Sequence, residues 1–251
     1  IYGNSPFTNC KNLKKVVFEE GMETVPAHIL DGAKSVKEVS IPDTVTAIEK
    51  SAFKDVAQLK TVTLPKQLKS IGIDAFSGCN ALISITFPGT LTTIGSNSFE
   101  ACNRLTEVTI PKSVTGVENN IYYNSPFTNC ENLKKVVFEE EMETVPAYIL
   151  NGAKSVTEVS IPDTVTSIER SAFAECNALE NVKLPKNLTT IASNSFKACN
   201  RLAEITIPKT VTKVESNIYS DGPFNECENL KKVVFENGME EIPAYILADA
   251  N

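Results

Sequence analysis

Tryptophan is absent from this 251-residue chain and histidine occurs once, as His28. A site built on several histidines, whether a zinc centre or a pair of general bases, has no residues to use. Basic residues are outnumbered, 24 against 31 acidic, for a net charge of -7. Nucleic acid, which calls for a basic face, is therefore not an expected partner. No apolar run approaches the roughly 20 residues that span a bilayer. No membrane insertion is therefore expected within this stretch, and the segment that opens at Ile1 shows no basic-then-apolar signal pattern. What is present is an apolar fraction of 42%, enough for a core.

That apolar content is periodic. Pro42 to Leu64, Pro65 to Phe87 and Pro88 to Ile110 are consecutive 23-residue units. Each reads Pro-x-x-(Val/Leu)-x-x-Ile, then Phe five residues on, then Leu-x-x-(Val/Ile)-x-(Ile/Leu/Phe). The frame returns at Pro162, Pro185 and Pro208. Units at Glu19, Glu139 and Glu236 replace the leading Pro with Glu and carry the variant Pro-Ala-(His/Tyr)-Ile-Leu. Units at Pro111 and Pro208 have 28 residues, and their five extra residues fall around Ile121 to Asn124 and Ile218 to Gly222. Ile1 to Phe7 matches Ile121 to Phe127, so the chain starts inside a third long unit. Blocks of repeats were duplicated, one with a unit fewer.

Local structure follows from the pattern. In Leu82-Ile83-Ser84-Ile85-Thr86-Phe87 the alternation has period two, which buries one face of a short strand and wets the other. One strand per unit gives ten, ending at Phe18, Ile41, Leu64, Phe87, Ile110, Phe138, Ile161, Leu184, Ile207 and Phe235. All run the same way and are expected to form one parallel sheet. Proline after most strands cannot donate to the ladder and ends each strand. A second extended piece is expected at Val45 to Ile48, and the Ser-Ala-Phe-x-x-Cys stretch is expected to form a helical or 3₁₀ turn.

The frame Cys79-Asn80-Ala81-Leu82-Ile83-Ser84-Ile85-Thr86-Phe87-Pro88, with Leu91-Thr92-Thr93-Ile94-Gly95 and Ser98-Phe99-Glu100-Ala101-Cys102, resembles the BspA-like, or Treponema-type, leucine-rich repeat. The resemblance covers essentially the whole chain. It implies a leucine-rich-repeat solenoid, mostly β with short 3₁₀ or helical turns, curved into a right-handed superhelix with one parallel sheet of about ten strands. It also implies secreted or surface-anchored proteins, several of them adhesins. Residues 1–251 are expected to be one repeat domain, a fragment of a longer array uncapped at both ends.

Cys10, Cys79, Cys102, Cys130, Cys176, Cys199 and Cys227 share one repeat position, three after the Phe, where other units place Ala33, Val56 and Ala153. A small apolar site is implied, hence a ladder of buried free thiols and no metal. Phe7, Phe53, Phe76, Phe99, Phe127, Phe173, Phe196 and Phe224, replaced by Leu30, Leu150 and Leu247, form a stacked core stripe. His28 falls where Tyr148 and Tyr245 sit, which suits packing or surface more than catalysis. Glu139, Glu140, Glu141 and Glu143 lack an Asp-x-Asp-Gly loop and read as a solvated edge, not a calcium site. No cofactor and no enzymatic activity are expected, because no nucleophile, base and orienting group converge in the frame.

The exposed strand face is more informative. Its two columns pair Lys15 with Val17, Glu38 with Ser40, Glu107 with Thr109, Lys135 with Val137, Glu158 with Ser160, Glu204 with Thr206 and Lys232 with Val234. Lysines neighbour glutamates on adjacent strands, so part of the pattern is structural. What remains is a polar, Thr-rich wall fit for a protein ligand. Each long unit ends in Leu-Lys-Lys-Val-Val-Phe, so insertion and basic strand travel together. The loops at Tyr122-Tyr123-Asn124 and Tyr219-Ser220-Asp221 are the expected contact points, since exposed tyrosines favour interfaces. Lys15, Val17, Lys135, Val137, Lys232 and Val234 join them as expected contacts. The expected function is a monomeric, extracellular or cell-surface protein-binding module. Its partner would be a host matrix or surface protein, or another bacterial surface protein. The alternative is a non-binding spacer that projects another domain.

Overall fold

Period-two alternation and a fixed 23-residue step place equivalent residues of successive turns side by side. The computed structural model describes residues 5–216, 221–248 and 250. It comprises two compact units, 1–133 and 134–251. In the first, the strands are β1 (Lys15–Val17), β2 (Thr24–Val25), β3 (Glu38–Ser40), β4 (Ala47–Ile48), β5 (Ser70–Ile71), β6 (Thr93–Gly95), β7 (Glu107–Ile110) and β8 (Gly116–Glu118). In the second they are β9 (Lys135–Phe138), β10 (Thr144–Val145), β11 (Glu158–Ser160), β12 (Ser167–Ile168), β13 (Thr190–Ala192), β14 (Glu204–Ile207), β15 (Lys213–Glu215) and β16 (Lys232–Phe235).

Two kinds of strand alternate along the chain. The second extended piece of each turn gives the longer ladders, β2-β4-β5-β6-β8 and β10-β12-β13-β15. Their register advances by one repeat, Thr24 to Ala47, Ser70, Thr93 and Gly116 in turn. Strands from Leu-x-x-Val-x-Ile pair as β1-β3, β9-β11 and β14-β16, all parallel.

The expected single sheet of about ten such strands is interrupted. Among the described residues, 61–64, 84–87 and 181–184 form no strand. Leu64, Ile85, Phe87 and Leu184 are nonetheless buried. Alternation of apolar and polar side chains decides which face is buried. It does not set the spacing between turns that a hydrogen-bonded ladder needs.

The Ser-Ala-Phe-x-x-Cys stretch is made of single turns, as expected, and among the described residues none runs on into a helix. Alternate amides close single turns: Ala52 N–H donates to Glu49 O, Lys54 to Ser51 O and Val56 to Phe53 O, each at 3.2 Å. The amides between them reach the next turn, Ser51 to Ile73 O, Phe53 to Ala75 O and Asp55 to Ser77 O at 2.7–2.9 Å. Left-handed backbone at Ser51 (φ 54°) and Asp55 (φ 56°) produces the alternation by breaking the right-handed run. Each turn is thus tied to its neighbour along a third side. The prolines add a role as well: Val45, Leu68 and Leu91 donate to Pro42, Pro65 and Pro88 carbonyls, closing the turn that follows each strand.

The core is the expected stripe. Phe53, Phe76, Phe99 and Phe127 stack with ring centroids 5.0, 5.2 and 5.7 Å apart. In the second unit Phe173, Phe196 and Phe224 stack at 5.1 and 5.5 Å. Phe99 and Phe127 stay in contact although the intervening unit is five residues longer. The extra residues are pushed wholly outside the stack.

Candidate functional site

Burial removes six of the seven cysteines from chemistry, and Cys10 departs from the expected buried ladder by standing exposed. All seven are free; Cys10 is exposed and the other six are buried. Each buried thiol faces the carbonyl of the residue one turn back at the Phe position. Cys79 donates to Phe53 O (3.2 Å), Cys102 to Phe76 O (3.3 Å), Cys130 to Phe99 O (3.0 Å) and Cys199 to Phe173 O (3.2 Å). Burial raises the pKa of all six, Cys130 up to about 12 and Cys227 up to about 11. Neutral, buried thiols are neither nucleophiles nor metal ligands. Among the described residues no cluster of three His, Cys, Asp or Glu is placed to hold a metal ion. No described helix is long and apolar enough to cross a membrane.

His28, Tyr148 and Tyr245 share a feature that their side chains do not announce. All three have left-handed backbone, with φ of 56°, 61° and 65°. His28 Nδ1 lies 3.0 Å from Asp31 Oδ2, a local contact across one turn.

The strand face is knit together by the pairs that its sequence implies. Lys15 Nζ lies 3.5 Å from Glu38 Oε2, Lys135 Nζ 4.0 Å from Glu158 Oε1 and Lys232 Nζ 2.7 Å from Glu204 Oε1. Lys15 and Glu38 are direct register partners, as are Lys135 and Glu158, and Glu204 and Lys232. These lysines are committed to neighbouring strands. Val17 stands 61% exposed beside Lys15, whereas Val137 and Val234 are half-buried. Open grooves run past the post-strand prolines Pro42, Pro162 and Pro208, bordered by Val17, Ser160 and Thr206 on the strand side.

The first insertion is a built feature. Asn120 N–H donates to Ser96 Oγ of the preceding turn (3.2 Å), which pins the loop base. Tyr122 N–H donates to Asn120 Oδ1 (2.9 Å), Tyr123 N–H to Asn120 O (3.2 Å) and Asn119 Nδ2 to Val117 O (3.1 Å). Tyr123 is left-handed, φ 56°. Tyr122 is 73% and Tyr123 51% exposed, while Asn124 is half-buried. In the second insertion Tyr219 and Ser220 lie outside the described residues. Its half-buried Asp221 Oδ2 accepts from Asn194 Nδ2 (3.2 Å), again on the preceding turn.

Sequence reasoning brought the tyrosines forward and passed over two things beside them. Ile121, 81% exposed, is the most exposed large apolar side chain described. Its signal is the Ile-Tyr pair that opens all three insertions, Ile1-Tyr2, Ile121-Tyr122 and Ile218-Tyr219. The anchors also have a signal. Turns that precede an insertion read Ser96-Asn97-Ser98-Phe99 and Ser193-Asn194-Ser195-Phe196, where other turns carry Ala before the Phe.

Stacked 23-residue turns, with parallel strands and a lateral turn ladder in each unit, define a leucine-rich-repeat solenoid. The model of the BspA type leucine-rich repeat region matches residues 1–126 and 126–223, in six copies, and the chain belongs to that family. Among solved structures, the Treponema pallidum leucine-rich repeat protein TpLRR aligns at 24% identity with a TM-score of 0.55, over 66% of this chain and 78% of its own. A leucine-rich repeat protein from Eubacterium ventriosum ATCC 27560 aligns at 24% identity with a TM-score of 0.57, over 92% of this chain and 68% of its own. Both likenesses bear on fold alone. No curated protein matches the chain.

Proposed function

We propose that this solenoid is the protein-binding module of a secreted or cell-surface protein, serving adhesion to a host or bacterial surface protein. Its insertion loops and the polar strand face, with Lys15, Val17, Lys135, Val137, Lys232 and Val234, are the contact surfaces. One observation carries the reading: Tyr122 and Tyr123 stand in water on a loop that the fold does not need for its core and yet holds by hydrogen bonds. Exposed aromatics on a braced loop supply contact area at low entropic cost. Surface location rests on the family resemblance.

The spacer reading has an observation of its own, since the three strand lysines satisfy their charge within the face. An array of folded extracellular proteins probed with the intact chain separates the two readings. A binding module gives saturable binding to at least one protein, and a spacer gives none.

A further inference from the structure

We propose that Ile121 and Tyr122 form a preorganised apolar knob that seats in a concave apolar cleft of a folded partner protein. The proposal rests on the protein-binding reading and adds the shape and chemistry of the partner. Ile121 is 81% and Tyr122 73% exposed, at the tip of a loop outside the Phe stack. An isoleucine held in water contributes nothing to the core, yet the Ile-Tyr pair recurs in each insertion. Just after it, the second copy has diverged: Tyr123 is matched by Ser220, Asn124 by Asp221, Ser125 by Gly222, Thr128 by Asn225 and Asn129 by Glu226. In that copy the pair, with the Asn before it, survives where the three residues just after it do not.

The loop's chemistry selects among partners. Residues 119–125 carry no charge in a chain that is 22% charged. A convex tip of two side chains stays largely wet against a flat or extended partner, and only a cleft removes it from water. Asn119, Asn120 and Asn124 flank the pair in sequence. Asn119 Nδ2 and Asn120 Oδ1 bond within the loop, and the amide atoms beyond those two need hydrogen-bonding partners once covered, which lipid tails lack and a protein rim supplies. A sugar face would stack on tyrosine but leaves an aliphatic Ile121 unused. The hydrogen bonds of Asn120 to Ser96 and of Tyr122 to Asn120 hold the tip before binding, so little order has to be gained.

The test is an array of folded extracellular proteins, each also spotted after heat denaturation, together with glycans and phosphatidylcholine vesicles, probed with the full chain. Ile121→Asp is compared with Ile83→Asp, a control at an exposed isoleucine on another turn. The expected result is binding to a folded protein that weakens roughly 30-fold in Ile121→Asp, is unchanged in Ile83→Asp and is lost on the denatured spot. Wild-type binding by Ile121→Asp, or equal binding to the denatured spot, overturns the knob while leaving protein binding intact. Binding to glycans or vesicles alone, or to nothing, overturns both.

Discussion

Phe99 has neighbours on both sides, Phe76 at 5.2 Å and Phe127 at 5.7 Å, with Phe87 edge-on at 5.5 Å. Truncation to Ala removes three ring contacts and leaves a cavity, so Phe99→Ala is expected to cost about 3–5 kcal/mol in a denaturant melt. The thiol ladder predicts a pH response. Below the ordinary thiol value of 9.0 the cysteines are protonated whether folded or unfolded. Burial raises the folded values to about 11 at Cys227 and about 12 at Cys130. Stability is therefore full below pH 9 and falls as the pH climbs through 11 and 12. Thermal melts in reductant across that range check this, and alkylation at pH 8 is expected to modify Cys10 alone until the chain is unfolded. Phenylalanine and cysteine positions were legible because both recur at a fixed offset. Left-handed backbone was not read, although Asp55, Asp74, Asn97 and Asn194 mark it with residues that tolerate positive φ. At Tyr148 the side chain gives no such hint, and only the stacking of turns imposes the conformation.

Strands show where a pattern stops being informative. The repeat frame correctly placed Lys15 beside Glu38, and period two gave the buried face. It also foresaw strands at Thr61–Leu64, Ser84–Phe87 and Asn181–Leu184, where burial is satisfied without a ladder. Amides without ladder partners open to solvent by small local motions, so hydrogen exchange is expected to be fastest in these three stretches and slowest in Val136 and its neighbours in β9. Uniform protection across all ten would contradict the interrupted ladder. The second extended piece of each turn builds the longer sheets, its residues advancing by an unbroken 23-residue register. Aspartates after the strand-ending prolines add a clasp between turns: Lys66 N–H and Lys186 N–H donate to Asp43 and Asp163 at 3.0 and 3.1 Å. Both carboxyls are held below their usual range by those lysines.

For the molecule as a whole, length counts turns, and each turn is stabilised by its neighbours. The repeat frame and its core were therefore readable from the chain, whereas candidate contacts are the places where the frame is broken. The tyrosines of the first break were visible as departures. Ile121 was not singled out, because hydrophobicity alone does not say whether a side chain is buried. The central claim is that the insertions serve contact and not folding. Deleting residues 119–123 and 216–220 converts both 28-residue units to 23, and the measurement is binding to an identified protein partner alongside the thermal midpoint of the same variant. The account predicts a midpoint within a few degrees of the intact chain, since the Phe stack is untouched, and loss of binding. Full binding by the deleted chain, or collapse of its fold, would contradict it.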